Sequence, residues 1–332
     1  MTDALFLSSA DIDGLATPAE FVESVRNGYR QRGNGAPVEP RSVLTRDDPA
    51  GSLTGYVALL PEQGAMGSYR YSAGFAGRDA WFVLPLFDAE SGAPLAVIDG
   101  ASMNPFKTGA VGALGVDELA RAEADTVGVI GSGAQARGQL RATATVRALD
   151  EVRVFSPTSE NRESFADEMS DLLDVTVSAV DSAAHAIADA DVVITATTAR
   201  EPVFDGSQLA DGTHVTAMGQ YHPQKRELDH ATISRATYVL DLRERATRDA
   251  GSFMSALAAG AVDEDHVHAE LGEIVAGLVD GRTSDEEITV FDSGGTAIET
   301  VAAAHMLYEK AVDQGLGTPI EFAPASEALT GR

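Results

Sequence analysis

The sequence predicts an α/β chain: a doubly wound parallel sheet joined to a second, β-rich α+β domain. From Asp125 onward, short apolar strands alternate with helical segments, the pattern of a parallel sheet covered on both faces. Gly131-Ser132-Gly133-Ala134-Gln135-Ala136 stands directly between one such strand and the helix after it. Earlier, from Pro37 to Ile98, short apolar runs are separated by Gly, Pro and Asp clusters, a strand-like texture.

Taken in order, Thr17-Pro18-Ala19-Glu20 is a capping box with proline at the first helical position. The helix it opens runs to about Gln31, where Gly33-Asn34-Gly35 stops it. Strands follow in runs such as Gly55 to Leu60 and Ala80 to Phe87, then a small-residue helix from Thr108 to about Ala122. Thr126 to Ile130 is a strand, and the helix behind the glycine turn is expected to reach about Ala148. Further strands are expected at Val152 to Phe155, Val175 to Ala179, Asp191 to Thr195, Thr213 to Ala217 and Thr237 to Asp241. A last long helix spans about Gly295 to Gln314, and Pro319 to Phe322 reads as a strand. These divide the chain into a β-rich domain, 1–119 plus 312–332, and a doubly wound domain, 120–311.

Composition narrows the function. Across 332 residues, 51 Asp and Glu stand against 24 Lys and Arg, a formal charge of −27. That sign is wrong for a nucleic-acid binder. Cysteine is absent, which excludes disulfides, thiolate metal sites and cysteine nucleophiles. His185, His214, His230, His266, His268 and His305 make no ligand pattern with carboxylates, and His266-x-His268 reads as a solvated helix start, so no metal is expected. Apolar runs fall short of the roughly 20 residues of a membrane span. The start, Met1 to Asp11, lacks the basic segment of a secretory signal, and a cytoplasmic protein is expected. Lysine occurs only at Lys107, Lys225 and Lys310. A dispersed acidic surface with scarce lysine suits a very salty cytoplasm, where ions screen self-repulsion.

The segment Gly131 to Ala136 fits G-x-G-x-x-G/A, the Rossmann dinucleotide fingerprint. The first glycine makes the tight turn, Gly133 lets the backbone approach a diphosphate, and Ala136 packs the helix on the sheet. The amides of Ser132, Ala134 and Gln135 and the helix dipole supply the local positive field that a −27 chain otherwise lacks. An NAD site places a carboxylate at the end of the next strand, about 20 residues on. Here that end reads Ser156-Pro157-Thr158-Ser159-Glu160-Asn161-Arg162. The hydroxyls of Ser156 and Thr158 and the guanidinium of Arg162 suit a 2′-phosphate, so NADP(H) is favoured over NAD(H).

The glycine segment, Ala190 to Thr197, Gly212 to Val215, Arg226-Glu227-Leu228-Asp229, Arg41, Lys107 to Ala110 and Gly294 to Ala304 together resemble the ornithine cyclodeaminase/mu-crystallin family, over nearly the whole chain. The resemblance implies an NAD(P)H-dependent oxidoreductase acting on the Cα–N bond of a small 2-amino or 2-imino acid, of alanine dehydrogenase or ketimine reductase type. It implies a homodimer paired through the β-rich domain, which is then also the substrate domain. Three family cations hold the substrate carboxylate. Arg41 matches the first; Arg70, in Gly67-Ser68-Tyr69-Arg70-Tyr71, stands where the family has Lys; Lys107, before Thr108, stands where the family has Arg. Arg never deprotonates, whereas buried Lys shifts its pKa readily, so Lys107 is the expected proton donor and Arg41 and Arg70 the carboxylate clamps. Cyclodeaminases carry an Asp in the loop after the fifth sheet strand; here Tyr221 holds that position, and adjacent His222 is the substitute candidate. Thr108, Thr195-Ala196-Thr197, Met218-Gly219 and Ser293-Gly294 complete the expected cofactor loops. The alternatives are ornithine cyclisation to proline and ammonia without net cofactor change, which the missing Asp weakens, and an NADPH-dependent binding protein without turnover.

Overall fold

The computed structural model describes residues 2–330. Met1, Gly331 and Arg332, which fall within the expected domain limits, lie outside the described residues. The chain opens with β1 (Thr2–Leu7), α1 (Ser9–Ile12) and α2 (Pro18–Gly33), followed by β2 (Val38–Asp47), β3 (Ala50–Leu60), β4 (Ala65–Gly74), β5 (Asp79–Asp88) and β6 (Pro94–Asp99). Next come α3 (Asn104–Leu119), β7 (Thr126–Ile130), α4 (Ala134–Thr143), β8 (Glu151–Phe155), α5 (Ser159–Leu173), β9 (Thr176–Ala179), α6 (Ala183–Ile187), β10 (Val192–Thr195) and β11 (His214–Ala217). The remainder is α7 (His230–Arg235), β12 (Ala236–Leu240), α8 (Gly251–Ala258), β13 (Val267–Glu270), α9 (Leu271–Val275), β14 (Ile288–Asp292), α10 (Ala297–Gln314), β15 (Thr318–Phe322) and α11 (Ala325–Thr330). The chain forms two compact units. The first joins the segment up to Lys107 with the segment from Thr296 on; the second is Thr108–Gly295. Among the described residues, no helix is long and apolar enough to cross a membrane.

In the first unit a seven-stranded sheet runs in the order β15-β1-β6-β5-β4-β3-β2. Its pairs are antiparallel except β1 with β6. Side chains alternate along each strand, so one face is buried: Tyr56, Ala58 and Leu60 of β3, Tyr69 and Tyr71 of β4, Leu84 and Leu86 of β5. Helix α10 lies on β3 and β4 and packs against α2. Gly28 permits that approach, because a Cβ there would stand 3.1 Å from both Ala302 and Ile298. The capping box forms as expected: Thr17 accepts from the Glu20 amide and Glu20 accepts from the Thr17 amide at 2.8 Å.

The second unit carries an eight-stranded, wholly parallel sheet in the order β13-β12-β14-β11-β10-β7-β8-β9. Its central strands are buried along their whole length, as both faces are covered. On one face Val127, Val152 and Ile194 pack with Leu140 of α4 and Phe165 of α5. On the other, Val193, Val215 and Tyr238 pack with Ile233 of α7 and Phe253 of α8. The sequence order reverses between β7 and β10, and a crevice outside the carboxyl ends of two such strands is where open α/β sheets bind ligands.

The structure corrects several expectations. Helix α3 starts at Asn104, and α4 stops at Thr143 rather than near Ala148, where the Thr145 hydroxyl donates to the Ala142 carbonyl at 2.7 Å and turns the chain. His266 and His268 do not start a helix; a single turn ending at His266 runs straight into β13. Strands β1, β13 and the central β14 are additions to the expected set.

Candidate functional site

The first unit gathers aromatic rings and cations on the buried face of its sheet. Tyr56 and Tyr69 lie directly across from each other on β3 and β4, with ring centroids 5.6 Å apart; Tyr71 and Phe82 extend the cluster. The Arg41 guanidinium stands 5.4 Å over the Tyr56 ring and the Lys107 ammonium 5.3 Å over the Tyr69 ring, a face-on arrangement that attracts cations. Burial pushes the hydroxyls of Tyr56 and Tyr69 well above their ordinary range, so both stay protonated. Asn104 donates to the Tyr69 hydroxyl at 3.0 Å and fixes its ring over β4.

Lys107, 2% exposed, lies 3.4 Å from the fully buried Glu299 carboxylate. Glu299 belongs to the capping box of α10: it accepts from the Thr296 amide at 2.6 Å, from the Thr296 hydroxyl at 2.5 Å and from the Tyr29 hydroxyl at 3.3 Å. Nothing local marks Glu299 as this partner, because Thr296-x-x-Glu299 reads as an ordinary helix start.

The expectation for Arg70 is corrected. Its neighbours Tyr69 and Tyr71 face the buried side of β4, so period-two alternation sends Arg70 to the other side. There it is exposed, lies over Gly55 and lines an apolar groove of about 590 Å³ with Val57, Leu59 and Met66. The residue presented beside Lys107 is Tyr69.

In the second unit the glycine turn follows β7 as anticipated. Gly131 has φ +118°, open to glycine at no cost, and a Cβ there would run into the Ala196 carbonyl of the loop after β10. Gly133 caps α4 without a side chain, and a Cβ added there would meet only open space. Ala134 begins the helix and Gln135 follows in its first turn. The Ser132 hydroxyl donates to that of Ser156 at 2.9 Å, joining the turn to the end of β8. This open ground before the bare amide end of a helix fits the diphosphate of a nicotinamide dinucleotide.

The loop after β8 is more internally engaged than expected. Thr158 precedes α5, and the Arg162 guanidinium donates to the Ser156 carbonyl at 3.0 Å and lies 5.9 Å over the Phe155 ring. Thr108 sits in α3 with its carbonyl accepting from the Gln139 side chain at 2.7 Å. His222 is solvent-exposed in a turn, where its Nδ1 accepts from the Gln224 amide at 3.1 Å, and Tyr221 is 48% exposed.

Two buried carboxylates hold the loops at the carboxyl edge of the sheet. Glu227, 1% exposed, accepts from the Thr197 amide at 2.7 Å, the Gly219 amide at 2.8 Å and the Thr195 hydroxyl at 3.0 Å. Burial pushes its carboxyl up to about 6, against the pull of these hydrogen bonds. Ala196 and Met218 extend the ladders past the strand ends, their amides donating to Ile130 and Thr195 at 2.9 Å. Asp241 accepts from the Ser293 hydroxyl at 2.7 Å and from the Gly294 and Gly295 amides at 3.0 Å. Among the described residues, no group of three or more His, Asp or Glu is placed to hold a metal.

Known proteins resemble this chain in sequence and fold. The profile of the ornithine cyclodeaminase/mu-crystallin family matches residues 3–315. A Δ1-pyrroline-2-carboxylate reductase of Bacillus cereus is 36% identical over 241 residues, 72% of this chain and 74% of that protein. The solved structure of the Thermococcus litoralis Δ1-pyrroline-2-carboxylate reductase, in complex with NADH and L-proline, is 35% identical, with a TM-score of 0.90, covering 95% of this chain and 100% of that one. An archaeal alanine dehydrogenase dimer with bound NAD is 31% identical, with a TM-score of 0.91 over 97% of this chain and 100% of that one. With the profile matching residues 3–315 and two solved structures covering 95% and 97% of its length, the chain belongs to the ornithine cyclodeaminase/mu-crystallin family.

Proposed function

We infer that this chain is an NAD(P)H-dependent oxidoreductase that reduces the C=N bond of a small 2-imino acid, or oxidises the corresponding 2-amino acid, in the manner of a ketimine reductase or alanine dehydrogenase. The observation that carries this reading is the buried Lys107 on the Tyr69 ring, paired with Glu299, in a first unit that also holds Arg41 on Tyr56. The bound dinucleotide supplies the hydride for the imine carbon. Lys107 holds a proton at Nζ for the substrate nitrogen, and Arg41 binds the carboxylate through its planar fork. The second unit binds the dinucleotide: Gly131, Ser132, Gly133, Ala134 and Gln135 at the diphosphate, and Thr195 to Thr197, Met218-Gly219 and Ser293-Gly294 along the sheet edge. The first unit serves substrate binding and dimerisation.

The absence of a carboxylate between β8 and Glu160 supports NADP(H) as the preferred cofactor, although the solved relatives hold NAD(H). The test supplies pyruvate with ammonia or methylamine, cyclic imino acids, and L-ornithine in molar salt, and follows NADPH and NADH separately. Loss of reduced cofactor with an imino acid is expected, with the lower Kd for NADPH. Proline and ammonia from ornithine without net cofactor change overturns the reductase reading, and a lower Kd for NADH overturns the NADP preference.

The outer face of the first unit's sheet exposes Leu44, Leu53, Val57 and Trp81, the last at 71%, an apolar patch of the kind that marks an interface. A second copy of the chain covers it in a homodimer. The acidic surface belongs to a protein of a salty cytoplasm. Its unfolding temperature is expected to rise between dilute buffer and molar KCl, as the screening length falls from about 30 Å to about 3 Å; equal unfolding temperatures in the two remove the halophilic reading.

A further inference from the structure

We infer that Glu227 is a positioning residue for the nicotinamide dinucleotide: its buried carboxylate sets the spacing of the two loops, after β10 and β11, that hold it. The inference rests on the reading that Thr195 to Thr197 and Met218-Gly219 bind the dinucleotide. Residues 226–229 are locked in place on every side. Arg226 reaches Glu201 at 2.8 Å and also bonds Ser255, Leu228 is fully buried in the core, and Asp229 caps α7 through the Thr232 amide at 2.8 Å. The one side chain of this stretch turned under the sheet edge is Glu227. Its Oε1 takes the Thr197 amide, and its Oε2 takes both the Gly219 amide and the Thr195 hydroxyl.

The chemistry demands a carboxylate. Both backbone partners are donors, one at each oxygen, so the group between them must accept at both ends. Glutamine cannot do this. With its oxygen toward Gly219 its NH2 meets the Thr197 amide, and flipped it meets the Gly219 amide. The fit is close in the backbone as well, since a Cβ at Gly219 would run into both Thr197 and Glu227. Two partners come from loops and the third, Thr195, is the last residue of β10, so the carboxylate orders the sheet edge rather than the fold's framework.

The test uses the full chain with Glu227→Gln, reading NADH and NADPH dissociation constants by fluorescence, and amide hydrogen exchange residue by residue. Faster exchange confined to the loops of Thr197 and Gly219 is expected, with both dissociation constants raised about tenfold, the effect of one unsatisfied buried donor. If exchange at the two loops quickens while both constants stay at wild type, the inference falls together with the assignment of these loops to the dinucleotide. If exchange at the two amides is unchanged, the brace alone falls and the loop assignment stands. Faster exchange throughout the second unit marks a merely structural role and also overturns the inference. Should the glutamine variant fail to fold, Glu227→Asp, which keeps the charge but is one methylene too short to reach both amides, carries the same expectations and the same reversals.

Discussion

Lys107→Ala is expected to lower kcat for imino-acid reduction by between about a hundredfold and ten-thousandfold, the range of a positioned proton donor, while NADPH affinity stays at the wild-type value. The split follows from where Lys107 sits. Its ammonium lies on the Tyr69 ring and beside Glu299, and these groups all belong to the first unit. The diphosphate turn and the loops braced by Glu227 and Asp241 belong to the second. The same substitution strips a cation from a buried carboxylate, a loss worth roughly 3–5 kcal/mol, so reduced activity alone does not isolate the chemistry. The pair Lys107→Ala with Glu299→Gln separates the two effects. Stability is expected to return toward wild type, because a neutral amide needs no counter-charge, while turnover stays low. Stability is read by denaturant unfolding and turnover by cofactor absorbance. Wild-type turnover in a folded Lys107→Ala protein removes Lys107 from the mechanism.

How far the site could be read in advance depended on whether a residue's role rests on local pattern or on long-range burial. The glycine turn needed only a strand before it and a helix after it, both visible in sequence, and it stands where expected. Lys107 stood out because lysine is almost absent from the chain. Arg70 misled because a strand carries a face assignment of period two, and a shift of one residue exchanges Arg70 for Tyr69. Glu227 and Glu299 fall within segments that carry the family resemblance, yet their roles, like that of Asp241, are not legible among 51 carboxylates, since nothing local distinguishes a buried acid from a solvated one. The strand β14 is not legible although it pairs with both β11 and β12, because its five residues follow an acidic turn and no helix pattern directly precedes them. In each miss the deciding partner lies far away along the chain: Thr197 for Glu227, Ser293 for Asp241, Lys107 for Glu299.

Arg245→Met is expected to destabilise the second unit by roughly 3–5 kcal/mol, the cost of leaving buried carboxylates without their cation. Arg245 is 3% exposed and gathers three acids from the carboxyl ends of β12 and β14 and the turn between. Its Nη1 donates to Asp241 at 3.1 Å, to the Asp292 carboxylate at 3.2 Å and to the Asp292 carbonyl at 2.9 Å, and its Nε donates to Asp249 at 2.6 Å. Although burial opposes its charge, Asp241, Asp292 and Asp249 hold the guanidinium well above its ordinary range. Asp292 is itself raised by burial, with Arg245 opposing the rise, and accepts from Tyr238 at 2.7 Å. Removing the cation drives Asp292 further up, and this fixes the sign of the pH dependence. A carboxyl whose folded pKa exceeds its unfolded value binds its proton more tightly when folded, so the variant gains stability relative to wild type as pH falls. The deficit measured by denaturant unfolding is therefore expected to be largest near pH 7 and to shrink toward pH 4. A deficit constant across that range assigns the loss to the packing of the arginine stem instead of its charge. Lysine recovers only part of the stability, because a compact ammonium cannot span Asp241, Asp249 and Asp292 as the planar fork does. Since Asp241 also carries the Ser293 hydroxyl and the amides of Gly294 and Gly295, and Gly294 packs against the guanidinium, the variant is expected to bind NADPH more weakly as well. Unchanged NADPH affinity in a folded Arg245→Met protein separates the Ser293-Gly294 loop from the dinucleotide.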